Sequence, residues 1–192
     1  MNNSIKTLTA AALAVVFLSD AALAQDATDW QGTYAGGQIS LNNPGITGIA
    51  LPLNDGLSGG LFAGYNHAIS PEWVLGGELA YDHKSSTDVV PGNNLELENT
   101  ITARARAGYA VGNALIYGAV GYTSVGDYGF SAFGTRGSAD GLSYGVGVET
   151  LLTDNLTARV DYTRMDLDLS GGALPGLGLK NNVISMGLAY KF

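Results

Sequence analysis

The chain has 192 residues and no cysteine, and carries 9 Lys and Arg against 17 Asp and Glu for a net charge of −8. Without thiols there is neither a disulfide framework nor a cysteine nucleophile, and the anionic balance excludes nucleic acid as a natural partner, since neutralising phosphates takes a basic surface. The length suits one domain of ordinary size.

At the amino end, Lys6 precedes an apolar run from Ala10 to Leu18, followed by Ala22, Leu23 and Ala24. The run is too short to cross a bilayer as a helix, and the small residues after it suit cleavage beyond Ala24. The pattern predicts a secretory signal peptide over 1–24 and an exported domain over 25–192. No stretch of that domain has 18 uninterrupted apolar residues, which excludes a transmembrane helix but not a membrane-spanning barrel.

From there the chain divides into eight segments with period-two alternation, each about as long as a tilted strand needs to cross a bilayer. They cover 33–41, 57–67, 73–83, 98–110, 115–125, 142–151, 156–166 and 182–192. In the third, Trp73, Leu75, Gly77, Leu79 and Tyr81 oppose Val74, Gly76, Glu78, Ala80 and Asp82. In the fourth, Ile101, Ala103, Ala105, Ala107 and Tyr109 oppose Thr100, Thr102, Arg104, Arg106 and Gly108. The fifth, with Leu115, Ile116 and Tyr117 together, does not declare its faces. The sixth sets Leu142, Tyr144, Val146 and Val148 against Ser143, Gly145, Gly147 and Glu149, and the seventh sets Leu156, Ala158, Val160 and Tyr162 against Thr157, Arg159, Asp161 and Thr163. The eighth alternates Ile184, Met186, Leu188, Tyr190 and Phe192 with smaller or polar residues. Such a strand, closing on an aromatic, resembles the terminal strand of a bacterial outer-membrane barrel, which the barrel-assembly machinery of that membrane reads.

Connections alternate in length. Long ones at 42–56, 84–97, 126–141 and 167–181 are rich in Gly, Asn, Asp and Ser, while short ones lie at 69–72, 111–114 and 152–155. This is the pattern of a barrel with tight periplasmic turns and longer external loops. The fold predicted is an all-β, eight-stranded antiparallel transmembrane β-barrel, an up-and-down meander with both termini in the periplasm. That direction places Tyr65, Trp73, Tyr109, Tyr190 and Phe192 in a periplasmic aromatic girdle, and Tyr81 and Tyr144 in an outer one.

If the apolar parity faces lipid, Glu78, Arg104, Arg106, Glu149, Arg159 and Asp161 point inward as a balanced network. An Arg held on the lipid face at mid-membrane would cost about 2 to 4 kcal/mol, so two Arg on one parity of the fourth segment decide its facing. Keeping inward residues opposite one another pairs Glu149 with Arg159 and brings Glu78 to the depth of Arg104. The network reads as core filling of a narrow barrel, with a conductive or catalytic constellation as the competing reading. Inward Gly60, Gly64, Gly76, Gly145 and Gly147 leave room for Arg side chains or for water.

The chain resembles the small outer-membrane β-barrel family that includes opacity-type proteins and is related to the transmembrane domain of outer-membrane protein A. The likeness rests on Asp29-Trp30-Gln31-Gly32-Thr33-Tyr34-Ala35-Gly36-Gly37, Gly60-Leu61-Phe62-Ala63-Gly64-Tyr65-Asn66 and Trp73-Val74-Leu75-Gly76-Gly77-Glu78. It continues through Thr102-Ala103-Arg104-Ala105-Arg106-Ala107-Gly108-Tyr109, Leu115-Ile116-Tyr117-Gly118-Ala119-Val120-Gly121-Tyr122, Gly145-Val146-Gly147-Val148-Glu149, the turn Thr153-Asp154-Asn155 and Arg159-Val160-Asp161-Tyr162. The resemblance implies a structural component and surface antigen of the envelope, in a family some of whose members bind host molecules or haem; outer-membrane lipids and lipopolysaccharide are the expected surroundings, and no cofactor or metal is expected. The sequence ends at Phe192 without a peptidoglycan-binding domain, so direct wall anchoring is not expected.

Competing functions divide by class. Loop carboxylates at Asp55, Asp88, Glu96, Asp127, Asp140 and Asp168 could serve an extracellular ligand or a cation, although no calcium-loop spacing appears. A surface binder of haem or a host molecule would use loop tyrosines and His83. A lipid A hydrolase would need a nucleophile and base near the outer leaflet, for which His83 with Ser85 and Ser86 is the candidate, His67 lying beside a periplasmic turn. A lipocalin-like binder would turn its apolar face inward.

Overall fold

The computed structural model describes residues 26–46, 56–83, 85–90, 93–130, 135–171 and 177–192. The expected signal peptide over 1–24 lies outside them. A single 3-10 turn, Ala27–Trp30, leads into strands β1 Gly32–Ile46, β2 Gly56–Ala68, β3 Trp73–His83, β4 Ser85–Val90, β5 Asn93–Val111, β6 Ala114–Phe130, β7 Thr135–Leu151, β8 Leu156–Gly171 and β9 Gly178–Lys191.

Every pairing is antiparallel. The first and last strands zip together from Tyr34 opposite Lys191 to Ile46 opposite Leu179, and β3 bridges to β5, so the ring closes. β4 continues β3 in the same register on β5, with Asp82 opposite Thr100 and Ser85 opposite Leu97. The two therefore form one stave, and the barrel has the eight expected. Closure through β1–β9 and β3–β5 pairs the backbone polar groups around the ring, the condition for a β-structure in hydrocarbon.

Burial alternates along each stave as the side-chain period demands. The undeclared fifth segment resolves: Leu115 and Tyr117 are buried inside, and Ile116 lies on the outer wall. Short connections at 69–72, 112–113 and 152–155 gather at the end that also holds Asp26 and Phe192, the first and last described residues, here the turn end. The tightest is Gly112-Asn113, with Gly112 at φ 56, a glycine in the first central position of a two-residue hairpin loop whose twist suits the flanking strands.

At the opposite, loop end the strands run well past the expected bounds. β5 already begins at Asn93, β6 reaches Phe130, β7 starts at Thr135 and β8 ends at Gly171. Asp88, Glu96, Asp127, Asp140 and Asp168 thus sit on strands rather than in loops, while Asp55 is outside the described residues. On β8 the alternation inverts there, with Leu167 and Leu169 buried and Asp168 exposed, the pattern of an antiparallel sheet whose outer face meets water. A bulge between Val125 and Tyr128 on β6 marks this extension.

The lumen is layered. At the turn end Trp30, 1 % exposed, packs with Ala27 against Val74, Ala110, Leu115, Tyr117 and Leu151. The stopper is pinned by Ala27 N–H to the Pro71 carbonyl at 2.7 Å, by Ala68 N–H to Gln31 Oε1 at 3.2 Å and by Lys191 Nζ to the Asp29 carbonyl. Above it lies a charged layer, then short polar side chains, and towards the loop end buried Val125, Ala139, Leu167, Leu169 and Leu179.

Candidate functional site: the charged lumen and the outer wall

Strand alternation brings β3 Glu78, β5 Arg104 and Arg106, β7 Glu149, and β8 Arg159 and Asp161 into one luminal layer. Glu78 stands directly opposite Arg104 and accepts from it, Nη2 to Oε1 at 2.8 Å and Nε to Oε1 at 3.0 Å. The same carboxylate takes Arg159 Nη1 on Oε2 at 2.6 Å, with Arg106 Nη1 at 3.5 Å. Three guanidinium groups thus converge on Glu78, whose side chain is 0 % exposed. Arg104 Nη2 also reaches Asp161 Oδ1 at 3.3 Å, and Arg159 Nε lies 3.3 Å from Asp161 Oδ2.

Glu149 and Arg159 are opposed as expected, but they do not form an ion pair. Glu149 accepts from Arg106 Nη2 at 2.7 Å and from the Thr157 hydroxyl at 2.7 Å, whereas Arg159 reaches Glu78 and donates Nη2 to Gln38 Oε1 at 2.7 Å. The Arg159 guanidinium lies 3.3 Å from the centroid of the Phe62 ring, and Arg106 lies 3.9 Å from that of Tyr117. In so narrow a barrel a long side chain meets the far wall as readily as its neighbour, so aromatic faces and distant carboxylates outcompete the adjacent partner.

Sequence reasoning missed the two phenols that complete the layer. Tyr34 donates to Glu78 Oε2 at 2.9 Å and accepts from Arg106 Nη1 at 3.3 Å, and Tyr117 donates to Asp161 Oδ1 at 2.5 Å. A signal for both existed. Tyr34 faces Gly64 across β1–β2, Tyr117 faces Gly147 across β6–β7, and a Cβ on either glycine would collide with the phenol. Inward glycine opposite inward tyrosine marks a ring laid across the lumen, so here aromatic rings rather than water fill the room. Gln38 and Asp82 were also missed; Gln38 Nε2 donates to Asp82 Oδ1 at 3.0 Å just above the layer.

On the outer wall Tyr65, Trp73, Tyr109, Tyr190 and Phe192 are exposed near the turn end, with edge-on contacts of 5.2 Å between Trp73 and Tyr109 and between Tyr190 and Phe192. Tyr81 and Tyr144 are exposed nearer the loop end, where Tyr122 and Tyr162 join them. These four share one contact: each hydroxyl donates to an Asp or Asn on the adjoining strand, Tyr81 to Asn99 (2.9 Å), Tyr122 to Asp140, Tyr144 to Asp166 (3.1 Å) and Tyr162 to Asn182 (2.9 Å). In every case the acceptor lies two residues nearer the loop end than the partner directly opposite the tyrosine, so each ring leans towards that end. His83 is on the same wall, its Nδ1 2.9 Å from Asn99 Oδ1; the side chains of Ser85 and Ser86 lie outside the described residues. His67 is exposed one strand position from the 69–72 turn.

With an apolar wall around a polar lumen, the lipocalin-like alternative is inverted. Comparisons with known proteins agree. Residues 9–192 match the family described as outer membrane protein beta-barrel domain. A 22 kDa outer membrane protein of Rhizobium leguminosarum bv. viciae is 31 % identical over 179 residues, covering 86 % of this chain and 80 % of the relative. Among solved structures, Neisserial surface protein A matches with a TM-score of 0.62 at 18 % identity, over 84 % of this chain and 97 % of that one. Ail of Yersinia pestis, solved in complex with the heparin analogue sucrose octasulfate, matches at 0.57 and 17 %, over 84 % and 99 %. The chain belongs to the outer membrane protein beta-barrel domain family and is a transmembrane β-barrel of the bacterial outer membrane.

Proposed function

We propose that the protein is a non-enzymatic, non-conducting envelope component: a barrel that braces the outer membrane, turns its short connections and termini to the periplasm, and presents its long loops to the environment. The observation that carries this reading is the sealed lumen. Among the described residues, the Trp30 stopper, the ionic layer and the apolar residues at the loop end bracket a void of about 20 Å³ beside Ser40, Asn42 and Asp82, room for a water but not a file of ions. The charges inside are matched to one another rather than left poised for chemistry. The six form three cations and three anions, and each touches a partner of opposite sign.

The paired aromatic rows fix its depth in the bilayer. Tyr190 and Phe192 on the closing strand suit recognition by the assembly machinery, and outer-membrane lipid and lipopolysaccharide surround the wall. Recording from purified protein in planar bilayers tests the sealed interior, with an unchanged baseline as the expected outcome. Discrete, reproducible current steps would overturn it.

A further inference from the structure

Among the described residues near the loop end, Arg164 and Lys180 are cations that break the rule that charges turn inward, and Arg164 is the one nearer the middle of the wall. Arg164 on β8 shares the parity of Tyr162 and stands opposite Tyr144 on β7, so it belongs to the outer wall, with a third of its side-chain surface exposed. Its level is that of the loop-end tyrosines, where a charge on the lipid face costs about 0 to 1 kcal/mol rather than the mid-membrane figure. From this point a furrow of about 610 Å³ descends the wall between Leu75 and Val146, over the small residues Ala107 and Gly118, and is headed by Tyr144 and Arg164. An apolar channel ending at a guanidinium has the chemistry of an anionic amphiphile. Other charges there are Asp166, which accepts from Arg164 Nε at 3.4 Å and from Tyr144, with Lys180 opposite it, and Asp140 and Asp168, which face each other one level nearer the loop end. Among the described residues of this wall Arg164 is thus the charge nearest the hydrocarbon, with Lys180 and the carboxylates beyond it.

We propose that this furrow seats one acyl chain of a phosphorylated glycolipid of the outer leaflet, whose phosphate is held by Arg164. The proposal rests on the orientation given above, with the loop end outward. Complementarity is twofold: the acyl chain covers the apolar floor, and the guanidinium gives charge-assisted hydrogen bonds to the phosphate oxygens.

The test is native mass spectrometry of the full exported chain in neutral detergent, titrated with diphosphorylated lipid A and with the same lipid after dephosphorylation. One phosphorylated lipid should be retained per barrel, and Arg164→Gln should weaken that retention about tenfold or more, the loss of one charge-assisted contact. The dephosphorylated lipid should bind parent and variant alike. At Gly118 an added Cβ meets only the Gly145 carbonyl, at 4.0 Å, so Gly118→Leu fills the furrow without disturbing the barrel and should weaken both lipids. Equal retention by the parent and either variant, or no preference of the parent for phosphate, would overturn the proposal. Should Arg164→Gln fail to fold, the dephosphorylated lipid and Gly118→Leu decide the matter. Orientation is read separately: the chain has no cysteine, so Ser138→Cys gives a single thiol at the loop end, labelled in intact cells by an impermeant maleimide only if that end is outside.

Discussion

The two halves of the lumen satisfy their polar groups in different ways. Near the turn end, Glu78 is shared among three Arg side chains and Tyr34, and each Arg in turn meets a second carboxylate or an aromatic face. Towards the loop end, short side chains pair with one or two neighbours: Ser40 with Ser185 at 2.8 Å, Thr102 with Thr123 at 2.9 Å, and Asn42 with Ser58 at 2.9 Å and Asn181 at 3.1 Å. The first arrangement holds six strands through one set of long side chains, whereas the second staples neighbours locally. One should fail as a unit and the other piecemeal.

The largest effect is expected at the hub. Glu78→Ala leaves three buried guanidinium groups short of an anion, and removing one member of a buried ion pair costs about 3 to 5 kcal/mol. Denaturant unfolding of the refolded barrel, followed by the mobility difference between folded and unfolded forms on gels, measures it. A loss below about 1 kcal/mol would show that water already screens the layer.

Trp30→Ala comes next, at about 3 kcal/mol, near the lower end for a large aromatic because the mouth it closes borders water. The sequence holds two tryptophans, Trp30 within the lumen and Trp73 on the wall, so brominated lipid should quench Trp73 and spare Trp30. The emission that survives quenching should vanish with Trp30→Ala.

Much of this architecture is legible in the chain. Period-two alternation in segments such as 100–109 gives the staves and their facing, because a one-residue slip would put Arg104 and Arg106 into hydrocarbon. Glu78 and Arg104 meet as the register implies. What escapes the sequence is three-dimensional reach. Glu149 and Arg159 are opposed on adjacent strands yet choose partners elsewhere, because closure brings Glu78, Arg106 and the Phe62 ring equally near. Tyr34 and Tyr117 look like further aromatics until their glycine partners are matched across strands. The strand extension past Asp166 escapes because its polarity is reversed: Leu167 and Leu169 turn inward and Asp168 outward, the opposite of the facing that marks the staves below. Arg164 is overlooked for a related reason: it sits where the alternation reverses its polarity, just before Leu167 turns inward.

A smaller effect is expected for Tyr117→Phe, which keeps the ring under Arg106 and removes only the hydroxyl given to Asp161. Hydrogen bonds to charged groups contribute about 1.5 to 3 kcal/mol, and Asp161 retains Arg104 and Arg159, so the lower end applies. Unfolding in denaturant with unchanged Trp30 emission would confirm that the charged layer, not the stopper, has weakened.

The smallest single effect sharpens the contrast most. Thr102→Val preserves shape but strands the Thr123 hydroxyl, which is 0 % exposed, at a cost of about 1 kcal/mol. Adding Thr123→Val removes the stranded group, and replacing both partners of a neutral hydrogen bond is often close to neutral, so the double variant should recover most of the loss. The matching experiment in the charged layer, Arg106→Met with Glu149→Leu, should not recover, because Thr157 still addresses the vacated Glu149 position while Tyr34 and Glu78 lose the Arg106 guanidinium. Double-mutant cycles separate the cases: stability restored at the threonines and not at the ion pair marks a stapled half above a networked one. Restoration at both would mean that the ionic layer is merely a collection of independent pairs, and that Glu78 is one contact among several rather than the hub of the lumen.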